Sequence, residues 1–290
     1  MKTLTRMAEM QAAAAGLRGA GKRVGFVPTM GALHAGHLSL VRRAKQETDV
    51  TVVSIFVNPA QFGPGEDYLN YPRDFERDSG LLRRESADIL FAPPVEEIYA
   101  QGFETYVTVE QLSAPLEGEF RPGHFRGVAT VVLKLFHIVQ PDRAYFGRKD
   151  AQQCVVVSRL VRDLNLPVEI VVCPIVREPD GLAMSSRNAY LNEEERRAAT
   201  VLYKSLCRAR ELMQGGERRA AVIAAEMRRL IEQERQARID YAVVVDAETL
   251  RPVEEVRGRV LVPLAVWIGR ARLIDNLLVE EKDGRFSFQL

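Results

Sequence analysis

The 290-residue sequence predicts an α/β fold: a parallel sheet with helices on both faces, followed by a smaller α+β C-terminal domain. Three observations predict it. Short apolar, β-branched runs alternate with helical patterns up to about residue 175, the pattern of strands joined by helical crossovers. Loops rich in glycine, proline and polar side chains follow several of these strands, where open α/β sheets bind ligands. From Val176 the order changes to two long charged helices and then three β-like runs. The expected domains are 1–175 and 176–290.

Residues 1–18 are alanine-rich and lack helix breakers before Gly16, so a first helix is expected, closed by Gly19 and Gly21. Strand Arg23–Val27 runs into the loop Pro28–Thr29–Met30–Gly31–Ala32–Leu33–His34–Ala35–Gly36–His37, and a helix continues to Glu47. Thr51–Val57 reads as a buried central strand, and the turn-rich Asn58–Gly65 follows it. Asp74 to Glu85 reads as a charged surface helix, and Asp88–Phe91 as a short strand stopped by Pro93 and Pro94. Tyr106–Val109 is expected to add a strand, Pro115 to Arg126 to be irregular, and Val128–Val139 to form an apolar helix on the sheet. Strand Arg143–Phe146 leads through Gly147–Arg148–Lys149–Asp150 into a helix reaching about Leu164, and Val168–Cys173 closes the layer. Beyond the boundary come the turn Pro179–Asp180–Gly181 and the polar loop Met184–Asn188. The two helices are Asn192–Met213 and Glu217–Gln236. The β-like runs are Asp240–Val245, Arg259–Trp267 and Ala271–Val279.

Composition narrows the function. Forty basic against 39 acidic residues leave a net charge of +1, which is no footprint for nucleic acid. No stretch approaches the roughly 18–20 apolar residues of a membrane span. Met1 to Leu17 has no apolar core and carries Glu9, unlike a secretory signal. Cys154, Cys173 and Cys207 are odd in number and form no CxxC. They read as buried thiols of a reducing compartment. A cytoplasmic protein is expected.

Three loops at or near strand ends carry groups suited to phosphate. His34-x-x-His37 places two imidazoles at a helix start, where N–H groups and the helix dipole favour anions. The pair can stabilise charge developing on a transferring phosphorus, or it can simply cap the helix. A zinc site would need a third ligand, and no third His or Cys stands nearby. Lys149 is a point charge for phosphate, and Asp150 either caps its helix or accepts from a ribose hydroxyl. Ser185, Ser186 and Arg187 offer two hydroxyls and a guanidinium, a set able to grip a polyphosphate or to form an ordinary surface loop. Asn58 and Gln61, with Tyr71 further on, supply neutral polar groups for a small substrate.

Pro28-Thr29-Met30-Gly31-x-x-His34-x-Gly36-His37 resembles the HIGH-type signature of the nucleotidyltransferase superfamily. The flanking words are narrower. Asn58-Pro59-x-Gln61-Phe62, Tyr71-Pro72-Arg73 and Arg121-Pro122-Gly123-His124-Phe125-x-Gly127-Val128 come first. Gly147-x-Lys149-Asp150-x-Gln152-Gln153, Met184-Ser185-Ser186-Arg187-Asn188 and Arg272-Leu273-Ile274-Asp275-Asn276 follow in order. Together, over about residues 1–279, they resemble the pantothenate synthetase (pantoate–β-alanine ligase) family.

The resemblance implies a Rossmann-like domain, a smaller C-terminal domain that closes over the nucleotide, a homodimer, and Mg²⁺ used with ATP. It implies ATP-dependent condensation of (R)-pantoate with β-alanine through pantoyl adenylate, releasing AMP and pyrophosphate. By the same resemblance, Met30, Gly31, Ala32, Leu33, His34, Ala35, Gly36 and His37 line the ATP site. Gly147, Arg148, Lys149 and Asp150 approach ribose and phosphates, Val176 the adenine, and Ser185, Ser186 and Arg187 the departing pyrophosphate, with Met184 also among the ATP-binding residues. His37, His34 and Lys149 are the implied catalytic groups. Gln61 and Gln153 hold pantoate, and Gln61 also meets β-alanine. No metal ligands are assigned; Asp78 is the one carboxylate noted.

Two positions depart from the family pattern: Arg148, where Glu or Gln is commoner, and Ala35, where Glu is common. Arg148 would alter ATP affinity or point to solvent. The alternative function is another HIGH-type adenylyl or cytidylyl transferase, which would lack the Gln61 and Gln153 pair. A non-catalytic nucleotide sensor would have a degraded phosphate site. An aminoacyl-tRNA synthetase would carry a tRNA-binding appendage.

Overall fold

The apolar runs Val24–Thr29, Val50–Ile55 and Ile89–Phe91 form central strands buried on both faces, as a parallel sheet requires. The computed structural model describes residues 1–282 and 284–290. The chain divides into two compact units, Met1–Arg148 with Val156–Cys173, and Lys149–Val155 with Pro174–Leu290.

The first unit contains β1 (Lys2–Leu4), α1 (Met7–Gly19), β2 (Val24–Thr29), α2 (Ala35–Glu47), β3 (Val50–Ile55), α3 (Phe75–Arg84), β4 (Ile89–Phe91), α4 (Val95–Ile98), α5 (Glu117–Phe120), α6 (His124–Val139) and β5 (Arg143–Gly147). Helix α7 (Ala151–Asp163) begins in the stretch assigned to the second unit, and β6 (Glu169–Cys173) completes the sheet of the first. All pairings are parallel, in the order β1-β4-β3-β2-β5-β6. The chain therefore winds outward from β2 in one direction and from β5 in the other. The switch point lies between β2 and β5, and in such sheets the ligand crevice opens beyond the carboxyl ends of those two strands.

Successive residues of β2 serve opposite layers. Phe26 meets Phe136 of α6 edge-on, with ring centroids 6.4 Å apart. Val27 joins Leu38 and Val41 of α2 and Leu82 of α3 on the other face. Phe26 and Val27 are fully buried, and at about 25 cal/mol per Å² such side chains contribute roughly 2 kcal/mol each.

In the second unit come α8 (Glu193–Ala198), α9 (Thr200–Gln214), α10 (Ala220–Glu232), β7 (Ala237–Ala242), β8 (Val245–Asp246), β9 (Arg259–Ile268), β10 (Ala271–Lys282) and β11 (Arg285–Gln289). The sheet is antiparallel, ordered β11-β10-β9-β7, with β8 also on β9. Leu206 and Met213 of α9 and Met227 of α10 share one core with Val262, Leu264 and Leu277 of the sheet. Helices before strands, packed as an α+β layer, is the expected pattern.

Several local expectations are corrected. The first helix begins at Met7, because Lys2–Leu4 pairs with β4 as an edge strand. Tyr106–Val109 is not a strand: the Val107 amide donates to Thr130 Oγ1 at 3.0 Å, and Arg126 stacks on the Tyr106 ring. The segment before Val128 is not wholly irregular, since α5 lies within it and α6 starts at His124. Helix α3 is not simply a surface helix, because Asp78, Ser79 and Leu82 are buried. The run Asp240–Val245 is divided between β7 and β8, and β11 was not anticipated. Among the described residues no helix is long and apolar enough to cross a membrane.

Candidate active site

In the first unit the loop Met30–Leu33 leaves β2 at the switch point and enters α2. Its turn needs a left-handed residue at Gly31 (φ +83°), where a Cβ would press on Asp78 and Ile55. Ala32 (φ 50°) follows in the same region. Thr29 Oγ1 donates to the Ser54 carbonyl at 2.7 Å and accepts from the Gly31 amide at 3.2 Å. Asp78 Oδ1 accepts from the Leu33 amide at 2.9 Å, and Arg77 donates to the Leu33 carbonyl at 3.0 Å. Burial pushes the Asp78 carboxyl above its ordinary range, against the pull of the Leu33 and Ala32 amides. Asp78 is thus a clamp on the loop, and its oxygens face backbone N–H groups. The noted role as a metal ligand is not supported.

His34 is the N-cap of α2. Its Nδ1 accepts from the Gly36 amide at 3.2 Å, and His37 Nδ1 accepts from the His34 amide at 3.4 Å, a reciprocal capping box. The ring centroids are 4.1 Å apart. A backbone amide can only donate, so each Nδ1 carries a lone pair and each neutral ring carries its proton on Nε2. Capping and phosphate recognition are therefore compatible, since they use different nitrogens of each ring. Helix α2 has no acidic residue in its first turn. Ala35, where a Glu would complement the dipole, leaves that helix end electropositive.

Gln61 closes a short 3-10 turn, Pro59–Gln61, after β3. Asn58 Nδ2 donates to Gln61 Oε1 at 3.0 Å and to the Gly127 carbonyl at 3.1 Å. Gln61 Nε2 lies 3.0 Å from Met30 Sδ. A thioether is a weak acceptor, so a substrate oxygen would replace it at little cost.

The second unit gathers a different set. Lys149 and Ser185 line one small cavity together with Ala183, Asn188, Ile274 and Asp275. Asn276 Nδ2 donates to the Lys149 carbonyl at 3.1 Å. The Lys149 ammonium is 3.9 Å from Asp150 Oδ1. The Met184 amide donates to the Val176 carbonyl at 3.0 Å, closing the loop between them. Ser185 caps the 3-10 turn Ser186–Tyr190 by accepting from the Arg187 amide at 3.3 Å, and Asn188 Nδ2 donates to the Ala183 carbonyl. Beneath lies a buried pair: Arg177 binds Asp275 at 2.7 and 3.0 Å and stacks on Tyr203.

The pantoate-beta-alanine ligase family model matches residues 2–278. The chain belongs to this family. A pantothenate synthetase from Caldicellulosiruptor bescii is 56% identical over 282 residues, covering 97% of this chain and 100% of that one. A pantothenate synthetase structure from Thermus thermophilus superposes with a TM-score of 0.91 at 51% identity, over 95% of this chain and 98% of that one. The pantoate-beta-alanine ligase of Francisella tularensis, complexed with beta-gamma ATP and beta-alanine, superposes with a TM-score of 0.79 at 35% identity, over 95% and 97% of the two chains.

Arg148 is buried, which removes the reading that it points to solvent. The first unit brings Met30 to Gln61 and His34 to His37. The second brings Lys149 to Ser185. Gly147 ends β5, while Gln153 lies in α7. The anchors behind these groups, namely Asn58 in its structural role, Asp78, Arg177, Asp275 and Asn276, were not identified by the chemistry of the sequence alone. Among the described residues no group of three or more His, Cys, Asp or Glu side chains could hold a metal ion.

Proposed function

We propose that this chain condenses pantoate with β-alanine in two steps through pantoyl adenylate. ATP-dependent condensation of these substrates is the activity of the family to which it belongs. In the first step a carboxylate oxygen of pantoate attacks the α-phosphorus of ATP, and the bond to pyrophosphate breaks. In the second the amine nitrogen of β-alanine attacks the acyl carbon, AMP departs, and the nitrogen loses its proton.

The observation that carries this reading is the reciprocal cap at α2. The electropositive end of α2 lies just beyond the strand at the switch point, and the backbone occupies Nδ1 of both His34 and His37. The Nε2–H groups serve as phosphate donors without either ring having to be charged. Adenylyl transfer mainly needs in-line positioning and neutralisation of charge. His34, His37 and Lys149 supply the latter. Ser185, Ser186 and Arg187 hold the departing pyrophosphate, and Met184 and Val176 take the base side. Gly147, Arg148 and Asp150 attend ribose and phosphates. Gln61 and Gln153 hold pantoate, and Gln61 meets β-alanine. Mg²⁺, carried with ATP, would supply further charge neutralisation when bound. The protein is proposed to be a homodimer, which light scattering at twice the monomer mass checks.

Pantoate labelled with ¹⁸O in its carboxylate tests the chemistry. One labelled oxygen is expected in AMP after turnover. Label appearing in pyrophosphate or orthophosphate, with none in AMP, contradicts the adenylate.

A further inference from the structure

The segment Arg121–Gly127 touches the turn that carries Gln61 through several independent contacts. His124 is buried on α6, with Nδ1 2.9 Å from the Gln61 carbonyl and Nε2 3.2 Å from Arg121 Nη1. A guanidinium has no acceptor. Nε2 must therefore accept, and Nδ1 carries the hydrogen that the Gln61 carbonyl receives. Burial, with Arg121 beside the ring, pushes the imidazole down to about 4, so it is neutral near pH 7.

Arg121 is itself fixed. It donates to both oxygens of Glu66 at 2.8 Å each, and Glu117 lies 3.9 Å away. Burial raises the Glu66 carboxyl, but the bonds from Arg121 outweigh it and hold the group below its ordinary range. Gly127 makes the contact possible, because a Cβ there would fall 2.2 Å from the Ala60 carbonyl oxygen.

A second set of contacts, through Asn58, orients the Gln61 side chain. Asn58 is fixed by two backbone groups of opposite kind: the Ala60 amide donates to its Oδ1, and the Gly127 carbonyl accepts from its Nδ2. Tyr99 adds a hydroxyl bond to Oδ1 at 2.8 Å. The atom of Gln61 facing Asn58 Nδ2 must then be the oxygen. Gln61 presents its NH₂ on the other side, toward Met30.

We propose that Arg121 and His124 are positioning residues for Gln61. His124 holds its main chain, Arg121 holds His124 in the tautomer that does so, and the Gln61 NH₂ is thereby aimed at a substrate oxygen. The inference rests on the reading that Gln61 holds pantoate.

Steady-state kinetics of single and double variants test it, with thermal melts as a check on folding. Gln61→Ala is expected to lower kcat/KM for pantoate by about tenfold to a hundredfold. His124→Ala lowers it comparably while KM for ATP stays within about twofold. In the Gln61→Ala background, His124→Ala adds less than about threefold. His124→Asn, whose amide nitrogen occupies the place of Nδ1, restores most of the loss. His124→Gln, whose amide nitrogen reaches the place of Nε2, does not. Multiplicative effects in the double variant, or an equal loss toward ATP, overturn the proposal. Should His124→Ala fail to fold, the Asn and Gln variants decide, and equal activity in both overturns it. An unchanged kcat/KM in Gln61→Ala alone defeats the reading of Gln61 itself and the proposal with it, an outcome distinct from failure at His124.

Discussion

His37 Nδ1 accepts the backbone amide of His34 at 3.4 Å, while His34 Nδ1 accepts that of Gly36. One nitrogen of each ring thus builds the helix start, and the proposed phosphate contact falls to the other. Replacing His37 by Asn keeps an acceptor in the place of Nδ1 and removes the distal donor. His37→Asn is expected to melt within about 1 kcal/mol of the parent and to lose about 100- to 1,000-fold in adenylate formation. His37→Gln, with an amide nitrogen near Nε2, recovers part of the rate. Equal rates in both variants, tracking their melting temperatures, would make the pair structural only.

Asp78 serves the loop from α3. Asp78→Ala leaves the Leu33 amide, which it receives at 2.9 Å, without its partner and costs about 1–3 kcal/mol. The loop loosens, and KM for ATP rises more than KM for β-alanine. Asp78→Asn keeps one acceptor and stays close to the parent in both. Urea denaturation and initial rates check this. A large loss of activity in Asp78→Asn with normal stability would return Asp78 to a direct role in chemistry.

The buried pair of the second unit makes a sharper stability prediction. Asp275 is almost fully buried against Arg177. Removing one partner leaves an uncompensated charge, so Asp275→Ala is expected to cost about 3–5 kcal/mol. Arg177→Met combined with Asp275→Leu recovers most of that. Chemical denaturation of the three variants is the measurement, and a mild Asp275→Ala would refute it.

His124 gives stability a pH dependence. Its folded value of about 4 lies below the ordinary 6.5, so folding favours the neutral ring. Its contribution is complete above about pH 6.5 and is lost as pH falls toward 4, at about 1.4 kcal/mol per unit and about 3 kcal/mol in all. Urea midpoints from pH 7 to 4 should fall less steeply in His124→Asn than in the parent. Parallel curves would show that His124 takes up its proton without cost in the fold.

The sequence revealed what depends on pattern and concealed what depends on partners. Strands such as Val24–Thr29 are apolar enough to be read directly, and the loop at His34 and His37 announces itself by its glycines. Lys2–Leu4 is too short to carry a period, and it is a strand only because β4 is beside it. Tyr106–Val109 has strand-like residues but sends its Val107 amide to a side chain. Asp78 sits among charges that suggest a wet face, and only the backbone of Leu33 shows why one of them is buried. Arg121 and His124 lay in plain view as a motif. Their link to Gln61 joins residues about sixty positions apart, and no local spacing records it.

Exchange of labelled pyrophosphate into ATP tests the central claim most directly. Purified protein with ATP and Mg²⁺ is expected to catalyse exchange when pantoate is present, with no requirement for β-alanine, and Lys149→Ala is expected to reduce it by orders of magnitude while remaining folded. Exchange without pantoate, or none with it, would contradict a reversible pantoyl adenylate formed at this site.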